Sequence, residues 1–179
     1  MDTLPVRKNT RLKEYDYSSN GLYFITICAH NRRNIFGSIT DGKIMLNEYG
    51  KIVESHIGKM NIFYDDVTVD KFVVMPNHLH LIIDICRERI VCVPQNKTDK
   101  TKMAVPKLIQ IFKSAITKEC RKITDNGTHT MRSLRYSQQM WQKSYHDHII
   151  RDEHEYQKIW EYIDTNLLKW ELDKYYTNN

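Results

Sequence analysis

Two histidines separated by one leucine, His78 and His80, are the residues of this sequence best suited to binding a metal. They lie in an apolar stretch that is typical of a β-strand, where alternate side chains point to the same face. Both imidazoles would then project side by side while Leu79 enters the core, and such a pair can bind a divalent cation. The spacing alone is weak evidence, because His146 and His148 repeat it.

The two histidine pairs differ in the residue that separates them. An apolar residue stands between His78 and His80, as a half-buried strand requires, whereas Asp147 stands between His146 and His148. We therefore expect the second pair to lie at the surface. There it either contacts nucleic acid or packs locally, and the spacing does not separate these two interpretations.

A tyrosine and an asparagine on the predicted last helix are further candidates for chemistry. Asp152 followed by Glu155 is a capping-box pattern, which predicts a helix from this point to about residue 168. Tyr162 and Asn166 are four residues apart, so they are neighbours on that helix, at the edge of its apolar stripe. A packing role would suit the same tyrosine, so the helix alone leaves both interpretations open.

The elements that must position these residues follow from the hydrophobic pattern. Helices are predicted to begin near Asn47, Pro106 and Asp152, and Asp41-Gly42 predicts a hairpin turn. Strands are predicted at about 23–28, 67–75, 78–84 and 145–151. The resulting β-α-β-β-α-β order favours an α+β, ferredoxin-like fold, with an antiparallel sheet, helices on one face and a C-terminal helix that carries the tyrosine.

Length and composition indicate one globular domain. The chain has 179 residues, of which 41% are hydrophobic and 27% charged. We expect a single domain over 1–179, with an N-terminal arm at about 1–20 and flexible loops at about 86–104 and 123–140. No apolar run approaches the ~20 residues of a membrane span, and four cysteines without paired spacing are typical of reduced thiols. A cytoplasmic protein with no membrane partner is therefore expected.

Basic residues are concentrated in the middle of the chain. Residues 97–125 contain eight Lys or Arg and three Asp or Glu, a net charge of +5, whereas residues 152–179 have a net charge of −4. This asymmetry suggests a polyanionic partner. A solvated charged surface explains the same pattern equally well.

Several stretches of the chain together resemble one family of DNA transposases. Met75-Pro-Asn-His-Leu-His resembles the His-hydrophobic-His motif of the HUH endonucleases. Tyr145-His-Asp-His-Ile-Ile-Arg-Asp and the helix after it resemble the single-tyrosine transposases, and among these the REP-associated tyrosine transposases most closely. Matching segments occur in order over about residues 11–170, so the resemblance is far more specific than one motif.

The resemblance implies a role for each candidate residue. It makes His78, His80 and Asn166 ligands of Mg²⁺ or Mn²⁺, and it makes Tyr162 the nucleophile. The implied reaction is transesterification of single-stranded DNA at hairpin-forming palindromes, through a 5′-phosphotyrosine intermediate. Leu167 stands where many relatives have proline, a departure that affects the helix end rather than the chemistry. Relatives act as monomers or as dimers that exchange the tyrosine helix, so a homodimer is compatible with the resemblance.

A DNA substrate would give the basic residues a role in backbone binding. The predicted DNA contacts are Arg32, Arg33, Lys107, Lys113, Lys118, Arg121, Arg132 and Arg135. For each of them a packed or solvated role is as good an interpretation. Two other functions stay open: a metal-dependent nuclease that uses activated water, and a hairpin-DNA-binding regulator that does not cleave.

Overall fold

A computed structural model of the chain describes residues 19–86, 105–126, 139–168 and 170. Within them the strands are β1 (Gly21–Cys28), β2 (Gly37–Thr40), β3 (Lys43–Leu46), β4 (Val67–Val74), β5 (His78–Ile85) and β6 (His146–Ile150). The helices are α1 (Glu48–Phe63), α2 (Val105–Asn126) and α3 (Glu153–Thr165). A short 3₁₀ turn at His30–Arg32 follows β1.

Four strands form one antiparallel sheet in the order β4-β5-β1-β6. The elements β1, α1, β4, β5, α2 and β6 follow one another as β-α-β-β-α-β, which confirms the predicted α+β, ferredoxin-like fold. β1 and β5 are the two central strands, and their register places Thr26 directly opposite His80. Each of these two strands is therefore hydrogen-bonded to a strand on both sides, which fixes the position of the side chains that it carries.

The hairpin and the start of α1 follow from local sequence. Asp41 and Gly42 connect β2 to β3 with positive φ angles of 52° and 67°, as the Asp-Gly pair predicts. The side chain of Asn47 accepts a hydrogen bond from the backbone N–H of Gly50 at 3.0 Å, and so caps the first turn of α1. The predicted start of this helix near Asn47 is thus confirmed.

Helices α1 and α2 cover one face of the sheet, and a continuous apolar core lies between them and the strands. Ile25 and Leu81 enter this core from β1 and β5, and Ile57 and Phe112 enter it from the two helices. The apolar sides of both helices are buried here. We call this side of the sheet the core face.

Helix α3 packs on the opposite side, which we call the site face. Its Ile163 joins Ile82 in a smaller apolar cluster. Lys71 on the edge strand β4 forms an ion pair with Asp164, and its ammonium lies 4.5 Å from the ring centroid of Trp160. These contacts fix α3 across the sheet.

The predicted arm and loops fall mostly outside the described residues. Residues 1–18, 87–104 and 127–138 are not described. Residues 123–126, which the sequence assigned to the second loop, are helical, because α2 continues to Asn126. Among the described residues, no helix has both the length and the apolar character needed to cross a membrane.

Candidate active site

The two histidines of β5 lie side by side in the interior of the protein, with 0% and 1% of His78 and His80 exposed. Their Nε2 atoms are 3.1 Å apart. Leu79 and Leu81 enter the core face, so the histidines project from the site face together with Ile82. The predicted alternation is therefore observed, and we call these two side chains the imidazole pair.

The Nδ1 atom of each imidazole contacts a neutral side chain. His78 Nδ1 lies 2.8 Å from Asn77 Oδ1, and His80 Nδ1 lies 2.8 Å from Thr26 Oγ1. The Asn77 amide is itself held, because its Nδ2 donates to the carbonyl of Arg32 at 3.1 Å. These contacts turn both Nε2 atoms toward a common point.

Two aromatic rings fix the planes of the imidazoles. Phe24 stacks on His80, with ring centroids 5.1 Å apart and an angle of 25° between the planes. Trp170, which follows α3 and is buried, stacks on His78 at 6.0 Å and 23°. Each ring of the pair is thus packed as well as hydrogen-bonded, which reduces the rotational freedom that it must lose on binding a ligand.

Tyr162 of α3 reaches this pair from a position 82 residues further along the chain. Its hydroxyl lies 3.3 Å from His80 Nε2, and the edge of its ring contacts Phe24 at a centroid distance of 6.0 Å. The neighbouring Ile163 anchors the helix in the apolar cluster. A phenol and two imidazoles therefore meet within a single chain.

Asn166 lies one helical turn beyond the tyrosine. Its backbone keeps helical angles, φ −58° and ψ −41°, so its side chain projects from the same side of the helix as Tyr162. The residue is buried, with 1% exposed. The i and i+4 arrangement expected from the sequence is therefore present.

The geometry of the imidazole pair suits a divalent cation. With metal–nitrogen distances of about 2.1 Å, two nitrogens 3.1 Å apart subtend an angle of about 95° at the metal, close to an octahedral value. The described residues contain no cluster of three or more His, Cys, Asp or Glu around one point. Within the part of the chain that the structure describes, a third protein ligand would be a different kind of group, and the buried amide of Asn166 is the candidate.

A second tyrosine on α3, Tyr156, has a different environment. Burial and the nearby carboxylates of Asp70, Glu153 and Asp84 raise the pKa of Tyr156 above its ordinary value. These groups disfavour the phenoxide form at that position. Tyr162, which contacts an imidazole instead, is the better candidate for a nucleophile.

The sequence of the chain is similar to those of known proteins. No family model matches the chain. An uncharacterised protein of Haemophilus influenzae is 36% identical over 183 aligned residues, covering 96% of this chain and 94% of its own length. A putative REP-associated tyrosine transposase of the same organism is 27% identical over 154 residues, covering 86% of this chain and 74% of its own length.

A solved structure shares the fold. It is a REP-associated tyrosine transposase bound to a REP hairpin, with a TM-score of 0.58 and 19% identity, covering 91% of this chain and 74% of that one. The chain is thus similar in sequence to a putative REP-associated tyrosine transposase and in fold to a solved one. The resemblance found in the motifs agrees with both similarities.

In this transposase-like chain, two of the predicted DNA contacts, Arg32 and Arg33, lie in the loop after β1, which is bonded to the residue before the imidazole pair. Arg32 is exposed and its carbonyl accepts the hydrogen bond from Asn77, so the loop after β1 is tied to the start of β5. Arg33 uses its guanidinium to bond the carbonyls of His30, at 3.3 Å, and Gln139, at 3.4 Å. The backbone of Arg32 therefore lies next to the residue that precedes the imidazole pair, while Arg33 braces the loop.

The predicted contacts on α2 lie elsewhere. Lys107, Lys118 and Arg121 are exposed on this helix, which covers the core face, so the sheet separates them from the imidazole pair. The structure does not bring them together with Tyr162. A role for them in DNA binding stays a prediction, and it would concern DNA away from the nucleophile. Arg132 and Arg135 lie outside the described residues.

Lys113 has a structural role that its sequence pattern did not reveal. Its ammonium donates to the carbonyls of Gln142, at 2.8 Å, and Ser144, at 3.0 Å, which ties α2 to the segment before β6. Burial lowers its pKa to about 8. The sequence placed this lysine on an open polar face, but it is partly buried.

The second histidine pair lies on the exposed edge strand β6, as expected. His148 pairs with Glu155 at 2.6 Å, and Glu155 also accepts the backbone N–H of Arg151 at 2.9 Å. This pair therefore helps to join β6 to α3. His146 is exposed and lies opposite Thr26 in the strand register.

Sequence reasoning missed the residues that orient the imidazole pair: Thr26, Phe24, Asn77 and Trp170. Thr26 and Phe24 looked like ordinary strand residues, and only the pairing of β1 with β5 places Thr26 opposite His80. Asn77 was visible within the motif, but it was interpreted as part of a turn. Its position immediately before the first histidine was the one available signal.

Proposed function

We propose that this protein is a metal-dependent DNA endonuclease and transposase that cleaves and rejoins single-stranded DNA through Tyr162. The observation that supports this most directly is the 3.3 Å approach of the Tyr162 hydroxyl to His80, beside a second imidazole with matching geometry. A nucleophile and a cation-binding pair at one point are what a phosphoryl-transfer site requires. The similarity to these transposases agrees with this function.

The proposed substrate is a DNA hairpin with a single-stranded extension. The solved relative is bound to a REP hairpin, and this chain shares its fold. Arg32 is exposed and its backbone carbonyl bonds Asn77, the residue before the imidazole pair, which makes this arginine our candidate for a phosphate contact near the cleavage point. Binding through such phosphate contacts should weaken steeply as salt concentration rises.

The proposed reaction is a transesterification. The Tyr162 oxygen forms a bond to phosphorus, the bond from phosphorus to the 3′ oxygen breaks, and the protein is left on a 5′ phosphate. The phenol loses one proton and the leaving 3′ oxygen gains one, so the step is balanced. Because one phosphodiester replaces another, the reverse attack by a 3′-hydroxyl can rejoin the DNA.

Ionisation of the nucleophile is a cost that the site must reduce. An ordinary tyrosine has a pKa of about 10, so forming phenoxide at neutral pH costs about 4 kcal/mol. Packing of the Tyr162 ring against Phe24 and of α3 on the sheet holds the phenol at the imidazole pair before substrate arrives. Such positioning removes part of the entropic barrier to attack.

The residues that would hold the cation are His78, His80 and Asn166. Two imidazole nitrogens and an amide oxygen suit Mn²⁺ or Mg²⁺. When bound, the cation would neutralise a non-bridging phosphate oxygen and make the phosphorus more susceptible to attack. Asn77 and Thr26 keep both imidazoles turned toward it.

The proposed site is complete within one chain, since Tyr162 and His80 belong to the same polypeptide. We therefore expect cleavage in cis, without a helix exchanged from a second copy. A variant mixture tests this: combining Tyr162→Phe with His78→Ala protein should give no activity beyond that of the separate variants. Restored activity in the mixture would instead indicate a dimer that shares the tyrosine helix.

The decisive experiment looks for covalent protein–DNA adduct. A pool of single-stranded hairpins labelled at the 3′ end is incubated with the protein and Mn²⁺, and the products are separated on a denaturing gel. The wild type should carry the 3′ label, because the 5′-phosphotyrosine remains on the downstream fragment. Tyr162→Phe should give no adduct, whereas Tyr156→Phe, a matched loss of one hydroxyl on the same helix, should retain it.

Two results would refute the proposal in different ways. Free fragments produced by both the wild type and Tyr162→Phe would indicate a nuclease that activates water. Salt-sensitive hairpin binding without any cleavage, independent of metal and of Tyr162, would indicate a regulator. Recovery of the labelled DNA on a peptide containing Tyr162 would separate the transposase chemistry from both.

A further inference from the structure

The hydrogen bonds around the imidazole pair determine where the protons lie. The Nδ2 of Asn77 donates to the carbonyl of Arg32, which can only accept, so the orientation of the amide is fixed. Its Oδ1, also only an acceptor, faces His78 Nδ1 at 2.8 Å. The proton of a neutral His78 is therefore on Nδ1, and its Nε2 presents a lone pair.

The second imidazole must then have the other tautomer in the metal-free protein. The two Nε2 atoms are 3.1 Å apart, a hydrogen-bonding distance at which two lone pairs would repel each other. Because Nε2 of His78 has the lone pair, Nε2 of His80 must carry the hydrogen between them. His80 Nδ1 is then an acceptor, and the hydroxyl of Thr26, 2.8 Å away, donates to it.

Binding a cation requires a change in only one of the two rings. His78 already presents Nε2 as a ligand. His80 must move its proton from Nε2 to Nδ1 before its Nε2 can bind the same cation. Nδ1 then becomes a donor, so the group facing it has to change from donor to acceptor.

We propose that Asn77 and Thr26 are positioning residues of the metal site with different tasks. Asn77 holds His78 permanently in the metal-binding tautomer, and Thr26 reverses its hydrogen bond with His80 when a divalent cation binds. A hydroxyl can do this because it rotates and both donates and accepts, whereas an amide or a carbonyl oxygen cannot. The inference rests on the proposed metal site and adds the residues that prepare it.

The placement of both residues suits these tasks. Thr26 lies directly opposite His80 in the pairing of β1 with β5, so the strand register fixes their contact. The backbone carbonyl of Asn77 accepts from the N–H of Ala29 at 2.8 Å, which ties it to the end of β1. Both side chains are buried, with 3% of Thr26 and 0% of Asn77 exposed. Water therefore does not compete readily for the imidazole Nδ1 atoms.

The tautomers can be measured directly, without DNA or catalysis. Two-bond ¹H–¹⁵N correlation spectra of ¹⁵N-histidine-labelled protein, at about pH 8 where an ordinary imidazole is neutral, distinguish Nδ1–H from Nε2–H rings. We expect Nδ1–H for His78 and Nε2–H for His80 without metal, and Nδ1–H for both with saturating Mg²⁺. His78 as Nε2–H, His80 as Nδ1–H before metal is added, or no change on adding Mg²⁺ would overturn the proposal.

A matched pair of variants tests the role of the hydroxyl. Thr26→Val keeps the branched shape and removes the hydroxyl, while Thr26→Ser keeps the hydroxyl. Affinity for Mn²⁺, measured from the electron paramagnetic resonance signal of the free ion, should fall by about 10- to 100-fold in Thr26→Val. It should stay within about threefold in Thr26→Ser, and equal affinities in both would overturn the role of Thr26. Thermal unfolding of each variant controls for general destabilisation.

The outcome does not depend on the proposed cleavage reaction. In Tyr162→Phe, the same two tautomer patterns should appear, because Nε2–H of His80 is fixed by the lone pair of His78 and the phenol oxygen near it only accepts. In the wild type, the expected tautomers with no covalent adduct would leave the positioning roles intact and refute Tyr162 as the nucleophile. Adduct formation together with an unchanged His80 tautomer would refute the role of Thr26 alone.

Discussion

The two faces of the same four-stranded sheet are built in different ways. On the core face, β1 and β5 contribute aliphatic side chains and the ring of Tyr23, and two long helices cover them. On the site face, a small apolar cluster at one end continues into the buried polar residues His78, His80 and Thr26, and a single helix of 13 residues packs there. Because side chains alternate along β5, consecutive residues of this strand lie in the two different environments.

This contrast indicates how the fold supports a polar site. Burying imidazoles and hydroxyls is costly unless their hydrogen bonds are made, and here the strand register and the Asn77 turn supply the partners. The core face provides the apolar burial that keeps these strands in register. We therefore expect changes on the site face to remove function and changes on the core face to remove stability.

The largest expected effect is the loss of metal binding in His78→Ala. Removing one of two imidazoles should lower Mn²⁺ affinity by at least about 100-fold and abolish adduct formation, since the remaining ring cannot fix the cation alone. Calorimetric titration and the labelled-hairpin gel measure the two effects. His146→Ala, which removes an exposed histidine of the same spacing pattern, should change neither by more than about twofold. Retained metal affinity in His78→Ala would refute the metal site.

The next prediction concerns stability. Leu81→Ala leaves a cavity between the sheet and two helices, and it should lower the free energy of global unfolding by about 2–5 kcal/mol. Ile163→Ala should instead lower the free energy of local opening of α3, because this helix rests on the smaller cluster. Native-state hydrogen exchange distinguishes them. Equal loss of protection in β5 for both variants would mean that the two faces unfold as one unit.

A smaller effect is expected where Lys71 holds α3 to the edge strand. Lys71→Met removes the ion pair with Asp164 and the contact with the Trp160 ring, together about 1 kcal/mol at a partly exposed site. Amides of α3 should exchange about fivefold faster while global stability hardly changes. Lys158→Met, which removes an exposed lysine from α3 itself, should leave the hydrogen exchange of the α3 amides unaffected. Equal acceleration in both variants would show that charge, not the contact, matters.

The core face was the more predictable of the two. The period of the apolar residues in α1 and α2 gives their buried stripes, and Asn47 gives the start of α1, because these features depend on neighbours in sequence. The direction of His78 and His80 follows equally from the two-residue period of a strand. Local spacing was sufficient wherever the relevant neighbours lie within one element.

The site face required the tertiary structure. The pairing of Thr26 with His80 depends on the register between β1 and β5, which no local pattern specifies. The stacking of Trp170 on His78 depends on where the chain turns after α3. For the same reason the sequence did not show that the sheet lies between the basic residues of α2 and Tyr162.

The smallest predicted effect compares two His–Glu pairs, one on each face. His56 and Glu119 join α1 to α2 at 2.7 Å, and His148 and Glu155 join β6 to α3 at 2.6 Å. Both carboxyl pKa values are lowered from the ordinary 4.5. For Glu119 the first cause is the hydrogen bond from His56, whereas for Glu155 it is the backbone N–H of Arg151, with His148 second.

These causes predict that the two carboxyl pKa values respond differently when the histidine is removed. In His56→Ala the pKa of Glu119 should return toward its ordinary value, whereas in His148→Ala the pKa of Glu155 should stay lowered, as measured by NMR titration of the side-chain carboxyl carbons. A carboxyl with a lowered folded-state pKa stabilises the protein above its unfolded value near 4.5, and this contribution is lost as pH falls through the folded value. Acid unfolding should therefore begin below about pH 4.5, and the pH at which it begins should rise only slightly in His148→Ala. Full recovery of the Glu155 pKa in that variant would show that its ion pair, not the backbone of the helix start, holds this corner of the site face.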